Sequence, residues 1–161
     1  MTPQNEDWVK ATAVDAEVGE HIFPRMAACE AALESRYGTS ALAREANNLF
    51  GMKQHKHPIH GTLNLPTKEF LDGDWEIVEA SWVKYDTLAD CFEDRMDTLR
   101  RLSTEYPHYA AALTAADPRT YVTEVSKTWS TDQERAVHVI EIYDELFPDA
   151  PAGIDDAGTA T

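Results

Sequence analysis

From residue 65 to residue 84 the chain changes its period. Segments 65–71 and 76–84 hold strand-forming side chains, Ile77, Val78, Trp82 and Val83 among them, and Asp72-Gly73-Asp74 between the segments is a turn signature. On both sides of this stretch apolar residues recur at helical spacing. A lone two-stranded hairpin is only marginally stable in water and has to rest on other structure. The sequence therefore predicts a mostly helical α+β domain with one small two-stranded lobe set between helices. With 161 residues the chain is long enough for one apolar core and too short for two ordinary domains.

The helices announce themselves through their ends. Asn5, ahead of Glu6-Asp7, reads as the cap of a first helix reaching Val18, with Trp8 as its anchor and Gly19 as its stop. Pro24 suits the first position of a second helix, along which Met26, Cys29, Leu33 and Tyr37 recur before Gly38. Thr39 or Ser40 caps a short third helix through Ala46, broken by Asn47-Asn48. Residues 54–67, with three histidines and two prolines, read as an irregular exposed loop. Leu88, Cys91, Phe92, Leu99 and Leu102 mark a long helix, and shorter ones begin at Pro107 and at Asp117-Pro118. Thr131 and Glu134 have the spacing of a capping box for the last helix, striped by Val137, Ile140 and Tyr143. The folded domain is read as 1–147, and 148–161, rich in Pro, Ala, Gly, Asp and Thr, as a disordered tail.

Lys and Arg total 14 against 29 Asp and Glu, a net charge of −15. Phosphate backbones are bound by clustered cations, so this balance argues against nucleic acid as a partner. No apolar run approaches bilayer length, and the N-terminus is polar and acidic, so neither membrane insertion nor a signal peptide is read. Cys29 and Cys91 match no metal or redox spacing and read as two buried helix residues, a disulfide being the less favoured alternative. His55-x-His57-x-x-His60 lacks the Cys or nearby carboxylate that would complete a zinc set, so these read as solvated loop histidines, with no metal or cofactor expected.

The chemistry concentrates in residues 31–53. Glu34 lies near the C-terminal end of an alanine-rich helix, where unpaired carbonyls make the potential negative and favour a protonated carboxyl. A carboxyl that keeps its proton near neutral pH is suited to general acid catalysis on a glycosidic oxygen. Glu30, four residues earlier, either adds a second negative charge that raises the Glu34 proton affinity or is a solvated surface residue paired with an arginine. A second carboxylate is available on the hairpin, where Glu69 and Phe70 face opposite ways. Glycosidase carboxyls sit roughly 6.5–9.5 Å apart for inversion and about 5–5.5 Å for retention.

The run Ala32-Leu33-Glu34-Ser35-x-Tyr37-Gly38-Thr39-Ser40-x-Leu42-Ala43-x-x-Ala46-Asn47-Asn48-Leu49-Phe50-Gly51-x-Lys53 resembles the signature of the bacterial glucosaminidases, glycoside hydrolase family 73 of the lysozyme superfamily. Leu65-Pro66-Thr67-Lys68-Glu69-Phe70 is similar to the family's hairpin Thr-x-Glu-Tyr, and Tyr85-Asp86-Thr87-Leu88-Ala89-Asp90-Cys91-Phe92 to its Tyr-x-Ser-x-x-Glu-Ser-Phe. The likeness extends over residues 5–147 in the same order.

The resemblance implies a lysozyme-like domain whose hairpin lobe lies beside a cleft. It implies hydrolysis of the β-1,4 bond on the reducing side of N-acetylglucosamine in peptidoglycan glycan strands. The protein would act at the bacterial cell wall, whether secreted, periplasmic or phage-delivered, and is expected to be a monomer. Glu34 matches the general acid. Glu69 matches a hairpin glutamate that serves as base or electrostatic partner, with assistance by the substrate's own N-acetyl group as the other route. Asn48 and Phe50 match the turn lining the cleft floor, and Tyr85 is expected at the substrate. The alternatives are a non-catalytic wall-binding module and a muramidase or lytic transglycosylase cutting at the other sugar.

Three positions depart from the family pattern: Glu30 stands in place of Gln, Arg36 in place of a small or neutral residue, and Trp129-Ser130-Thr131-Asp132 in place of Tyr-Ala-Thr-Asp. Trp129 has no phenol, but its indole stacks on a sugar face and offers an N–H. It is expected on a short loop after a helix, facing the cleft.

Overall fold

The computed structural model describes residues 1–150 and residue 155. In chain order the elements are α1 (Pro3–Val18), α2 (Pro24–Ser35), α3 (Ala41–Ala46), β1 (Gly61–Leu71), β2 (Asp74–Lys84), α4 (Leu88–Leu102), α5 (Pro107–Leu113), α6 (Pro118–Trp129) and α7 (Arg135–Leu146). The α+β architecture is the expected one. The first helix starts earlier than expected because Thr2, not Asn5, caps it: the Thr2 hydroxyl accepts from the Asn5 amide at 3.1 Å and Pro3 takes the first turn.

The organising element is α2. Arg25 through Ala32 are all buried, the mark of a helix covered on every side. Its alanines are small enough to let neighbouring helices approach closely, and α1, α6 and α7 pack on it. Ala28 and Ala32 join one apolar cluster, with Val9, Met96, Val125 and Val139, while Ala27 and Ala31 join a second with Leu49, Phe50, Val83 and Phe92. Cys29 and Cys91 are buried and free.

The exit from α2 is tightly specified. Arg36, Tyr37 and Gly38 all adopt left-handed backbone, with φ of 52°, 56° and 76°. A side chain at position 38 would also meet the Trp8 indole at 2.5 Å, so glycine is required there for conformation and for space.

The hairpin is longer than its sequence pattern suggested. Asp72 and Gly73 alone make the turn, both with positive φ of 50° and 87°, so Asp74 already pairs with Leu71. A two-residue turn of this kind matches the twist of the strands it joins. On one face Leu63, Leu65, Thr67, Glu69, Val78, Ala80 and Trp82 are partly covered, while Phe70, Trp75 and Ile77 stay exposed on the other. The base of the hairpin is tied to the 52–54 segment by amide bonds from Val83 to the Met52 carbonyl (3.0 Å) and from Gln54 to the Ser81 carbonyl (2.8 Å).

The capping box expected at Thr131 and Glu134 is not formed. Ser130 leaves α6 extended, and the connection closes on itself, the Ser130 hydroxyl accepting from the Asp132 amide and the Asp132 carboxylate from the Glu134 amide, so α7 begins only at Arg135. Of the segment 148–161, expected to be disordered, all but 148–150 and Asp155 lies outside the described residues. Asp155 is buried at the first turn of α2, accepting from the Met26 amide at 2.7 Å and the Tyr143 hydroxyl at 2.8 Å. It supplies the cap that Phe23 has no side chain to give. Burial pushes its carboxyl up to about 6 despite these donors. Among the described residues no helix is long and apolar enough to cross a membrane.

Candidate active site

A groove of about 580 Å³ runs past the end of α6, between α4 and the segment that follows Phe50, with Phe50, Lys53, Trp82, Arg101, Tyr109 and Trp129 among its walls. Glu34 reaches it through Trp129. The indole Nε1 donates to Glu34 Oε1 at 2.9 Å, and the Arg135 guanidinium lies 3.2 Å from Oε2. The Glu34 side chain keeps 21% of its surface open. Burial raises its proton affinity, and Arg135 and Arg95 oppose that rise without cancelling it; Glu30 adds to it only as a lesser contribution.

Glu30 shows why its contribution is small. It is fully buried and accepts from four donors: Arg95 Nη2 at 2.9 Å, Arg95 Nη1 at 3.4 Å, Arg135 Nη2 at 2.6 Å and the Tyr121 hydroxyl at 2.7 Å. Burial alone would raise its pKa, but the two arginines hold it at about 2. Its charge is spent inside this cluster. Of the two readings left open by the sequence, the paired one is realised, in the interior rather than on the surface.

Arg95 links the cluster to the groove. Its guanidinium carbon lies 4.3 Å from the Phe50 ring centre and 4.1 Å from that of Trp129, and the two rings meet edge to face at 6.2 Å. Trp129 is thus wedged against a buried cation and is half-buried itself. It is the last residue of α6, not a loop residue as expected, because the helix runs through it before Ser130 turns away.

The remaining candidates separate. Phe50 is buried and forms part of the groove wall. Asn48 and Tyr85, expected at the substrate, lie behind the groove surface, because their polar groups are already spent inside. Asn48 donates to the Met52 and Val83 carbonyls, both at 2.9 Å, and accepts from the Met52 amide, which fixes the turn that carries Phe50. The Tyr85 hydroxyl is bonded to Asp94. Glu69 lies on the partly covered face of the hairpin, opposite Glu76, and pairs with the groove residue Lys53 at 2.9 Å. His55 bonds Asp94 at 2.9 Å, His60 packs on the Tyr85 ring, and His57 is exposed. Among the described residues no three His, Cys, Asp or Glu are grouped to hold a metal ion.

Sequence reasoning missed Arg95, Arg135, Tyr121 and Tyr109. A signal was present for the arginines. Arg95 falls on the apolar stripe of α4 between Phe92 and Leu99, and Arg135 stands one turn before Val139 on that of α7. A cation on a core-facing stripe calls for a buried anion.

Residues 10–147 match the family model described as glucosaminidase, mannosyl-glycoprotein endo-beta-N-acetylglucosaminidase. Among curated proteins the chain is similar to the exo-glucosaminidase LytG of Bacillus subtilis (strain 168), at 30% identity over 138 residues, 80% of this chain and 48% of that protein. The chain thus spans about half the length of that relative. Among solved structures it is similar to the catalytic domain of the autolysin Auto from Listeria monocytogenes, with a TM-score of 0.75 at 20% identity over 91% of this chain and 86% of that one. It is likewise similar to a C-terminally truncated glycoside hydrolase domain of FlgJ from Salmonella typhimurium, with a TM-score of 0.70 at 23% identity over 91% of this chain and 99% of the other. The fold is therefore lysozyme-like, as the sequence implied.

Proposed function

Because the chain belongs to the glucosaminidase family, we propose that it hydrolyses the β-1,4 bond on the reducing side of N-acetylglucosamine in peptidoglycan, with Glu34 as general acid. The observation that carries this reading is the state of Glu34: a carboxyl raised in proton affinity by burial, with one oxygen held by the N–H of the groove residue Trp129 and the other beside Arg135. An acid so buried keeps its proton to a higher pH than a solvated glutamate, and the two donors fix the point at which it is delivered.

Glu69 is the second carboxylate, acting as base or electrostatic partner. Its place on the covered face of the hairpin, and its bond to Lys53 at the groove, support that role. Aromatic walls at Phe50, Trp82 and Trp129 suit sugar rings, whose apolar faces pack on π-systems. The site of action is the bacterial cell wall.

The test is to digest purified peptidoglycan and read the new reducing ends by mass spectrometry. N-acetylglucosamine at the reducing end is expected. N-acetylmuramic acid or its anhydro form there would make the protein a muramidase or lytic transglycosylase. The length of the products separates an endo cut, as in the family's description, from the exo cut in the name of the Bacillus relative.

A further inference from the structure

The groove that holds Trp129 is an electrostatic exception. In a chain of net charge −15, the residues lining it include Lys53, Lys56 and Arg101 and no Asp or Glu. Lys53 is paired with Glu69, but among the described residues neither Lys56 nor Arg101 lies within ion-pair distance of an acid.

Lys56 and Arg101 also line a second cavity of about 370 Å³, which shares His55 and Thr98 with the groove and adds His57 and Ile59. Two acids face this cavity, and both are engaged: Asp94 with His55 and the Tyr85 hydroxyl, Asp97 with Arg100 at 3.6 Å. Thr98, 7% exposed, lines both cavities and joins them.

We propose that this side cavity is a carboxylate subsite, in which Lys56 and Arg101 bind the free carboxylate of a peptide attached to the glycan lying in the groove. The inference rests on the peptidoglycan reading of the groove and names a further part of that substrate. Peptidoglycan carries carboxylates, and the overall charge of the protein repels them. Affinity for an anionic polymer then has to come from a local cluster of cations, and one lies where the groove opens sideways. Arginine grips a carboxylate through two parallel N–H bonds, and lysine adds a mobile point charge. The exposed side chain of Ile59 gives the same cavity an apolar wall, suited to a small side chain next to the carboxylate.

The test is a binding titration with the Glu34→Gln protein, using soluble glycan fragments in three forms: with their peptides, with the peptides removed, and with the peptide carboxylates converted to amides. The peptide-bearing form should bind at least about fivefold more tightly than either of the others, as expected for a charge-assisted pair, and this preference should shrink as salt is raised. Lys56→Gln combined with Arg101→Gln should reduce the preference to less than about twofold, whereas Lys84→Gln, an exposed cation outside both cavities, should preserve it. Equal binding of the acid and amide forms would overturn the subsite, as would a preference that survives the double substitution or falls equally with Lys84→Gln. Reducing-end release by the unaltered protein tests the glucosaminidase reading separately, so failure of one is not failure of the other.

Discussion

Two glutamates, one helical turn apart on α2, have opposite fates. Glu30 lies among Arg95, Arg135 and Tyr121, with no accessible surface, and is held ionised at about 2. Glu34 sits one turn nearer the helix end, has one tryptophan N–H and a shared arginine, and is pushed toward its protonated form. Both are desolvated; what differs is the number of cations each can claim. Arg135 touches both, so the inner glutamate takes most of its charge and leaves the outer one under-compensated. A carboxylate that is fully paired builds structure, and one that is partly paired is left to exchange a proton.

The largest stability effect should come from Glu30→Gln. Removing one member of a buried ionic cluster strands the others, at a cost of about 3–5 kcal/mol. Denaturant unfolding checks this, and a loss under about 1 kcal/mol would erase the contrast between the two residues.

Trp129 sharpens the comparison, because it touches Glu34 and packs on Arg95. Trp129→Ala should lower glycan turnover and also cost about 1–3 kcal/mol, less than the loss of a fully buried aromatic. Trp129→Phe should retain most of the packing while deleting the N–H. That donor favours the ionised carboxylate, so without it Glu34 should hold its proton longer, and the alkaline limb of kcat/KM should move up by roughly half to one pH unit. An unmoved limb would mean that the Trp129 bond does not tune the acid.

Asp155, at the other end of α2, gives a smaller effect whose sign can be worked out. Its pKa is raised to about 6 from an unfolded value near 3.8, so the folded state binds more protons between those values, and the stability it contributes is lost as pH rises through that window. Glu30 works the other way, contributing above its unfolded value of 4.5 and losing that contribution as pH falls toward about 2. Relative to Asp155→Asn, the unaltered protein should therefore lose about 1–3 kcal/mol between pH 4 and pH 6. A difference that stays constant with pH would show that Asp155 remains ionised throughout.

Local signals made most of the fold legible. Prolines at positions 24, 107 and 118 set helix starts, Asp72-Gly73 set the turn, and the period change set the lobe. Most misses lie where tertiary contacts outweigh local preference. One miss is local: Thr131 and Glu134 had capping-box spacing, yet the Asp132 carboxylate takes the Glu134 amide that Thr131 would have capped. Around the candidate site, Glu34, Asn48 and Phe50 could be proposed because they stand in one contiguous run. Asn48 and Tyr85 were read as substrate contacts because a motif says that a residue matters without saying whether it touches the ligand or holds up what does. The Glu30 cluster draws on four helices, α2, α4, α6 and α7, and its only trace in the sequence is an arginine on each of two apolar stripes.

Glu34→Gln tests most directly whether Glu34 is the proton donor. The amide keeps the shape and can accept from Trp129 but has no acidic proton, so peptidoglycan hydrolysis should fall by about 10²–10⁴-fold, the usual contribution of a general acid, while unfolding stability stays within about 1 kcal/mol. A variant that folds normally and keeps more than about a tenth of the lytic rate would contradict the assignment.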